Sequence, residues 1–395
     1  MSSSNTIYFI VDYTAIRKYF HQHALIIGLS HFLFKNGYSP EILIPTVADR
    51  GEIERASGNV SFMRDSGYSS RKNKLIRHSI HFLLRITGSS HRADNRIKKF
   101  LRLTYIKSGL NHFRQIDKNK VIRIIFPTLD PLSLELALQI SKNSKMKNYF
   151  FYFRIVGSES RGLLTSNNEI QTLLELVKLY PQHIRIGVET DGYRSHLENL
   201  GFNSSAIFWS PWPCLENFDK SKLKKKEILI GFLGCAKQRK GFDNIPEILT
   251  NLKTEGLYFN ILIQEANFPW ASYKDTKEKI LRIMNYKFEF LSSNLDLTDL
   301  QKYVNRCDFL ILPYDSDSYS INASGVLYHA CDSNVPVLTA GGVGFASEIE
   351  DFKLGLTYNN LDEIPKLVRK IQLMKFGFDN YNSIRDHKTY NFLLK

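Results

Sequence analysis

The sequence predicts a two-domain α/β protein in which each domain is a doubly wound parallel sheet. Three observations lead there. Short β-branched and aromatic runs alternate with helix-period segments, first over residues 6–209 and again over 227–339. A proline- and lysine-rich break divides the two runs. The chain has 395 residues, 43% hydrophobic and 23% charged, which is enough for two cores and excludes a disordered chain.

The first run opens with Thr6–Val11 (TIYFIV), suited to a buried parallel strand. A polar loop over Asp12–His23 leads to an apolar helix, Ala24–Phe34, ended by Asn36-Gly37. Glu41–Ile44 is the second strand, completing a βαβ unit. Alternation resumes with a strand at Val121–Phe126, a helix from Pro131 to Ile140, and a strand at Tyr149–Ile155. A helix over Glu169–Tyr180, a strand at Ile184–Glu189, a short helix over Tyr193–Leu200 and a strand at Ala206–Trp209 complete it.

Between the second strand and Val121 lies a basic insertion. Residues 64–118 hold fourteen Lys or Arg against three Asp, a net +11 of the chain's formal +14. Apolar residues recur there at near-helical spacing, which predicts one or two basic amphipathic helices. Such a segment fits an anionic membrane surface beside a lipid-linked acceptor. A solvated helical face and a nucleic-acid surface are the alternatives, and no nucleic-acid motif supports the latter.

Pro211-Trp212-Pro213 and the run KSKLKKK over Lys220–Lys226 read as the linker. The second run then places strands at Glu227–Leu233, Tyr258–Ile263, Phe288–Leu291, Phe309–Leu312 and Val335–Thr339. Helices fall between them at Ile245–Leu252, Lys274–Ile283, Leu297–Val304 and Gly325–Cys331. The domains are therefore expected at 1–215 and 216–375, with 376–395 a C-terminal helix returning toward the first domain. Two such halves would enclose a cleft, where open α/β sheets bind ligands.

Cys214, Cys235, Cys307 and Cys331 form no CxxC pair, so they read as free thiols rather than a zinc site. The opening MSSSNTIYFIVDY has no basic leader followed by an apolar run, and no stretch reaches about 18 apolar residues. The expectation is a cytoplasmic protein, peripheral at most on the inner face of a membrane.

Two segments carry chemistry. In Gly231–Gly241 (GFLGCAKQRKG) a strand enters a loop with Gly234, then Lys237, Arg239 and Lys240, then Gly241 before a helix. Glycine lets a phosphate approach the backbone, and the cations neutralise it. A solvated turn is the plain alternative, because the spacing is neither GxGxxG nor a P-loop. In Tyr314–Gly344 a strand ends in LPY and a helix opens at Ser324-Gly325-Val326. A helix N-terminus suits a diphosphate, although Ser324 also fits as a simple N-cap. Asp315-Ser316-Asp317 spells DxD but lies in the polar loop before that helix, so it reads as loop chemistry and the metal set is empty.

The order FLG-x5-KG, CDFLILPY, SGVLYHA, a PVL strand and a GG turn resembles the C-terminal domain of glycosyltransferase family 4 (group 1). The likeness spans about 226–358. It implies the GT-B fold, two Rossmann-like domains facing across a cleft, with a nucleotide-diphosphate sugar as co-substrate and no resident cofactor. Carried over, Gly234 and Lys240 hold the donor diphosphate, with Lys237 and Arg239 beside them. Ser324, Gly325 and Val326 form the phosphate-holding helix start, and Ala330 and Pro336 match structural positions. The sequence departs from the family at Cys235, where an Arg is usual, and at Ile321 and His329, where the family has an E-x7-E pair. By register His329 stands where a glutamate grips the donor ribose. It can hydrogen-bond hydroxyls or, protonated, pair with phosphate. The plain alternative is a helix residue facing a solvated groove.

The first domain is then expected to hold the acceptor. Asp130 in PTLDP and Glu159 in RIVGSESR are the candidate catalytic groups, able to orient or deprotonate a hydroxyl. His21, His23, Arg154, Arg161 and Glu189 are weaker candidates, and for every one of these residues, Asp130 and Glu159 included, a cap, a turn residue or a structural ion pair is the more ordinary reading. The functional expectation is a retaining glycosyltransferase acting on a glycan or lipid-linked acceptor in bacterial surface polysaccharide biosynthesis. The missing glutamates motivate a rival, a non-catalytic GT-B-like binding subunit. A DNA-modifying glucosyltransferase is the third reading.

Overall fold

A computed structural model of the chain describes residues 5–12, 21–43, 110, 113, 116, 119–129, 131–143, 146–155, 167–210, 227–374, 376, 381, 384 and 390–394. The basic insertion apart from residues 110, 113 and 116, the linker, Asp130, Glu159 and Arg161 lie outside the described residues, as do the side chains of His21 and His23. The chain divides into two compact units. Unit 1 comprises Met1–Gly187, Gly201–Phe208 and Tyr390–Lys395; unit 2 comprises Val188–Leu200 and Trp209–Thr389.

Unit 1 is built on β1 (Thr6–Val11), α1 (His21–Lys35), β2 (Glu41–Leu43), β3 (Val121–Phe126), α2 (Pro131–Asn143), β4 (Tyr149–Arg154), α3 (Asn167–Leu179) and β5 (Ile184–Val188). After α4 (Asp191–Asn199), which packs in unit 2, the chain returns as β6 (Ile207–Trp209). The sheet order is β2-β1-β3-β4-β5-β6, with parallel pairing from β2 through β5. Continuous burial of Phe9, Ile10 and Val11 fits a strand covered on both faces. α1 begins at His21, three residues before the apolar run, so the polar loop is shorter than its composition suggests. Arg154 ends β4 rather than standing in a loop. It is buried, and its guanidinium donates to Pro127 O at 3.2 Å, bracing the turn after β3.

The chain end also belongs to this unit. Tyr390–Leu394 lies on the sheet, and Leu393 O accepts from Tyr8 Oη at 3.0 Å and Arg123 Nη1 at 2.8 Å. Phe392 packs against Tyr152 and Phe208, with centroids 4.8 and 5.2 Å apart. Residues Asn391–Leu393 form a single 3-10 turn.

Unit 2 continues with β7 (Leu229–Phe232), α5 (Ile245–Thr254), β8 (Asn260–Gln264), α6 (Tyr273–Arg282), β9 (Lys287–Leu291), α7 (Leu297–Arg306) and β10 (Phe309–Leu312). It closes with the short α8 (Ser316–Tyr319), α9 (Gly325–Ser333), β11 (Val337–Ala340), α10 (Ala346–Asp351), β12 (Gly355–Tyr358) and α11 (Ile364–Leu373). The order β12-β11-β10-β7-β8-β9 is parallel throughout. Read from β9, it is the 3-2-1-4-5-6 order of the dinucleotide-binding fold, with its switch point between β7 and β10. Both of those strands are wholly buried. The edge strand β9 alternates exposed and half-buried residues, which suits a strand at the margin. Among the described residues no helix is long and apolar enough to cross a membrane.

Candidate functional site

Ligands of doubly wound sheets bind at the carboxyl ends of the strands flanking the switch point. Here the loop after β7 and the segment after β10 meet at that place. Gly234 has φ +107°, a conformation that only glycine adopts readily. A Cβ on it would stand 2.6 Å from Val326 Cγ2, 3.0 Å from Lys240 Nζ and 3.3 Å from Tyr314 Oη. One backbone position is thus touched by the cation of its own loop, the last residue of the LPY segment and the first turn of α9. Lys240 Nζ donates to Gly234 O and lies 5.5 Å from the centroid of the Tyr314 ring.

The loop is held from beneath by Gln264, at the carboxyl end of β8 and 4% exposed. Its Oε1 accepts from Gly234 N at 2.8 Å and Cys235 N at 2.6 Å, and its Nε2 donates to Ser293 O at 3.2 Å. These bonds keep Cys235 at φ +45° despite its side chain, a strained choice for a residue with a Cβ. At the far end Gly241 has φ +69°, and a Cβ there would lie 1.6 Å from Pro313 O. Arg239 stacks over the Tyr319 ring at 5.3 Å, while its carbonyl accepts from Asp315 N at 3.1 Å. A small cavity beside the loop is lined by Phe232, Gly234, Lys240, Gln264, Pro313 and Tyr314.

The helix start is built differently. Ser324 is an N-cap in extended conformation whose Oγ accepts from Leu327 N at 3.4 Å and lies 3.3 Å from Tyr314 Oη. That cap leaves Gly325 and Val326 among the first-turn N–H groups without intrahelical acceptors, at the positive end of the helix dipole. Burial pushes the Tyr314 phenol up to about 12, so it remains protonated. Asp315 caps α8, its Oδ1 accepting from Ser318 N at 2.8 Å. Among the described residues no group of three or more His, Cys, Asp or Glu is placed to hold a metal.

Ile321 presents no polar side chain, and its carbonyl accepts from Thr190 Oγ1 at 2.7 Å within unit 2. Glu189, the weakest acidic candidate, is buried at the same turn before α4. His329 does not face a solvated groove: it is 4% exposed. Its Nδ1 lies 2.5 Å from Gln301 Oε1 on α7. Burial lowers its pKa to about 4. This corrects the expectation of an imidazolium paired with phosphate, because the ring is neutral near pH 7.

The structure therefore gathers Gly234, Lys240 and Val326, with Ser324 linked through Tyr314 and with Lys237, Arg239 and Gly325 in the same two segments. Sequence reasoning missed Gln264 and Gln301. A polar residue closing the apolar strand NILIQ was a signal for the first. For Gln301, inside an ordinary amphipathic helix, there was none.

No family model matches the sequence, and no curated protein matches it. Solved structures do match along nearly the whole chain. A TarM variant from S. aureus in complex with fondaparinux, α-GlcNAc-glycerol and UDP is 13% identical, with 98% of each chain covered and a TM-score of 0.59. The lipopolysaccharide outer core galactosyltransferase WaaB in its apo form is 11% identical over 98% of this chain and 97% of its own, at TM-score 0.62. Anabaena HepE in complex with UDP-glucose is 12% identical over 98% and 96%, at TM-score 0.56. The chain has the fold of these proteins, the two-domain GT-B glycosyltransferase fold.

Proposed function

We propose that this chain is a glycosyltransferase whose unit 2 binds a nucleotide-diphosphate sugar. The observation that carries the reading is the meeting of Lys240, Tyr314 and Val326 at Gly234, at the switch point of the sheet. The diphosphate would lie between the Gly234–Gly241 loop and the start of α9. Transfer breaks the bond between the anomeric carbon and the β-phosphate oxygen and joins that carbon to an acceptor oxygen. Charge then grows on the departing diphosphate. In this reading Lys240, Arg239, Lys237 and the N–H groups of Gly325 and Val326 would stabilise it, and neither a metal ion nor a resident cofactor is called for.

UDP accompanies TarM and UDP-glucose accompanies HepE in the structures compared, so uridine nucleotides are the first to test. We assign acceptor binding to unit 1, with Asp130 and Glu159 as candidate groups, and a glycan or lipid-linked hydroxyl as acceptor. Retention of anomeric configuration and a role in surface polysaccharide synthesis follow the family resemblance. Docking of residues 64–118 on an anionic membrane belongs to the same reading and predicts salt-sensitive flotation with acidic vesicles.

Calorimetry with UDP, TDP, GDP and ADP, followed by turnover of the matching sugar nucleotides with and without EDTA, tests the proposal. Saturable binding that is lost in Lys240→Ala is expected, as is turnover insensitive to EDTA. If no nucleoside diphosphate binds, the donor site is wrong. The replacement of a carboxylate by Ile321 favours one second reading, a non-catalytic subunit. Binding without turnover or donor hydrolysis would support it.

A further inference from the structure

Unit 1 carries a cluster that the proposed transfer does not use, near the amino ends of its strands. Parallel register sets Tyr8, Arg123 and Phe150 side by side on β1, β3 and β4. His183, one residue before the Ile184–Phe151 pair, continues the row. Arg185 stands opposite Tyr152, two residues along β4 from Phe150 and so on the same face. The Arg123 guanidinium lies 5.9 Å from the Tyr8 centroid and 5.2 Å from that of Phe150, on which the His183 ring stacks at 4.8 Å. The Arg185 guanidinium lies over Phe208 at 5.4 Å.

Two positive charges are thus held on one face, with no carboxylate paired to either among the described residues. The segments packed on this face are α1, residues 36–40 and Tyr390–Leu394. None of them contains an Asp or Glu. The partners that the guanidiniums do have are neutral. Arg123 Nη1 donates to Leu393 O at 2.8 Å, and Arg185 Nη1 donates to Pro181 O and Ile184 O at 3.0 Å each. Arg123 Nε is buried with no acceptor among the described residues. A guanidinium offers five N–H donors, so most of these have no protein acceptor. Burial lowers the Arg185 pKa, and the Arg123 charge lowers it further, so each cation disfavours the other. Both residues remain partly exposed to solvent. A solvated surface lysine needs no counter-ion. Half-buried guanidiniums stacked on rings are screened less, and their planar forks match phosphate geometry.

We propose that Arg123 and Arg185 form an anion site at the amino end of the unit 1 sheet that takes a doubly charged phosphate group, as a small phosphate or diphosphate or as the head of a lipid phosphomonoester. Two charges and two forks fit a dianion better than a single carboxylate. The site is separate from the donor site of unit 2 and does not rest on it. Arg123 also holds Leu393 O, so an anion here would fix the guanidinium that anchors Tyr390–Leu394.

The test uses the full chain carrying Lys240→Ala throughout, which removes the phosphate contact proposed in unit 2. Calorimetry with pyrophosphate, inorganic phosphate and acetate is the first arm. Saturable binding of a phosphate is expected, with acetate about tenfold weaker or more. Arg185→Gln should weaken pyrophosphate about tenfold, the loss of one charge-assisted contact. Arg185→Lys keeps the charge without the fork and should weaken it about threefold. Lys147→Gln removes an exposed charge just before β4, at the same end of the sheet, and should leave binding unchanged. Unfolding midpoints without ligand show that each variant is folded, and Arg123→Lys repeats the test from the other side of the site. The second arm compares flotation with phosphatidic acid vesicles and with phosphatidylglycerol vesicles matched in charge, to which residues 64–118 respond alike. Arg185→Gln lowers flotation with phosphatidic acid alone if the source is a lipid head, and changes neither if it is a free phosphate.

Failure of both phosphates to saturate, with flotation unchanged in Arg185→Gln, overturns the inference. So does phosphate binding that Arg185→Gln leaves intact, or that Lys147→Gln weakens equally, since a diffuse positive field would do the same. An equal loss of flotation with both kinds of vesicle has that meaning too. None of these results touches the donor site, which stands or falls on nucleoside diphosphate binding.

Discussion

The two halves of the candidate donor site reach one place by different means. The Gly234–Gly241 loop depends on backbone geometry. Its ends are glycines at positive φ with almost no room for a Cβ, and its first two residues are held through their main-chain N–H groups by Gln264. The start of α9 depends on side chains: the Ser324 cap, Tyr314 behind it, and the Gln301–His329 pair one turn on. The loop should therefore be intolerant of any added atom. The helix start should tolerate added atoms but respond to lost polarity.

The sharpest test of this contrast is Gly241→Ala. The methyl group would overlap Pro313 O, and the residue would have to remain at φ +69°. Relief requires moving the main chain after β10, so the substitution should destabilise the protein by roughly 4 kcal/mol. Urea unfolding reads it. A loss below about 1 kcal/mol would mean that the loop is looser than its geometry implies.

The helix start makes the opposite kind of prediction, in pH rather than volume. His329 titrates at about 4 when folded, against an ordinary value of 6.5. The unfolded chain thus binds a proton that the native chain refuses. Its contribution is complete above pH ~6.5, falls as the pH drops toward about 4, and is flat below that. Each tenfold loss of proton affinity corresponds to about 1.4 kcal/mol, so the full effect is roughly 3 kcal/mol. His329→Gln should remove this part of the acid sensitivity, as denaturation midpoints between pH 7 and 4 would show.

Function separates the halves again. Lys240→Ala removes an exchangeable cation from a loop whose shape is set by Gln264 and two glycines. Stability should change by less than about 1 kcal/mol, while affinity for a nucleoside diphosphate falls about a hundredfold, the scale of a charge-assisted phosphate contact. An equal loss of affinity for uridine would place Lys240 away from the phosphates.

The contrast also explains what could be read in the sequence. Both sheets were legible, because parallel strands buried on two faces are continuous apolar runs such as TIYFIV and FLIL. The loop was legible for a related reason: glycines and cations at fixed spacing leave a mark on the string. Element ends were less so. β11 begins at Val337 rather than Val335, since Val335 N bonds back to Ala330 O in α9 and Pro336 has no N–H to give to the ladder. β12 and α11 went unassigned because GLTY is short and IPKLVRKIQL follows no motif. The setting of His329 was illegible, since Gln301 lies on another helix and only the fold pairs them. Asp130 and Glu159 rest on the sequence alone.

The smallest effect discriminates within the helix start itself. Ser324 caps α9 and also touches Tyr314, so two losses are combined in Ser324→Ala. N-cap removal costs about 1 kcal/mol, while Tyr314→Phe removes only the 3.3 Å contact to the serine and should cost about 0.5 kcal/mol. If the two act through one network, the double variant should cost less than the sum of the singles. Strict additivity would show that Ser324 serves only its helix. The phenol would then matter for what it places beside Lys240, and Tyr314→Phe should weaken nucleotide binding more than it weakens the fold.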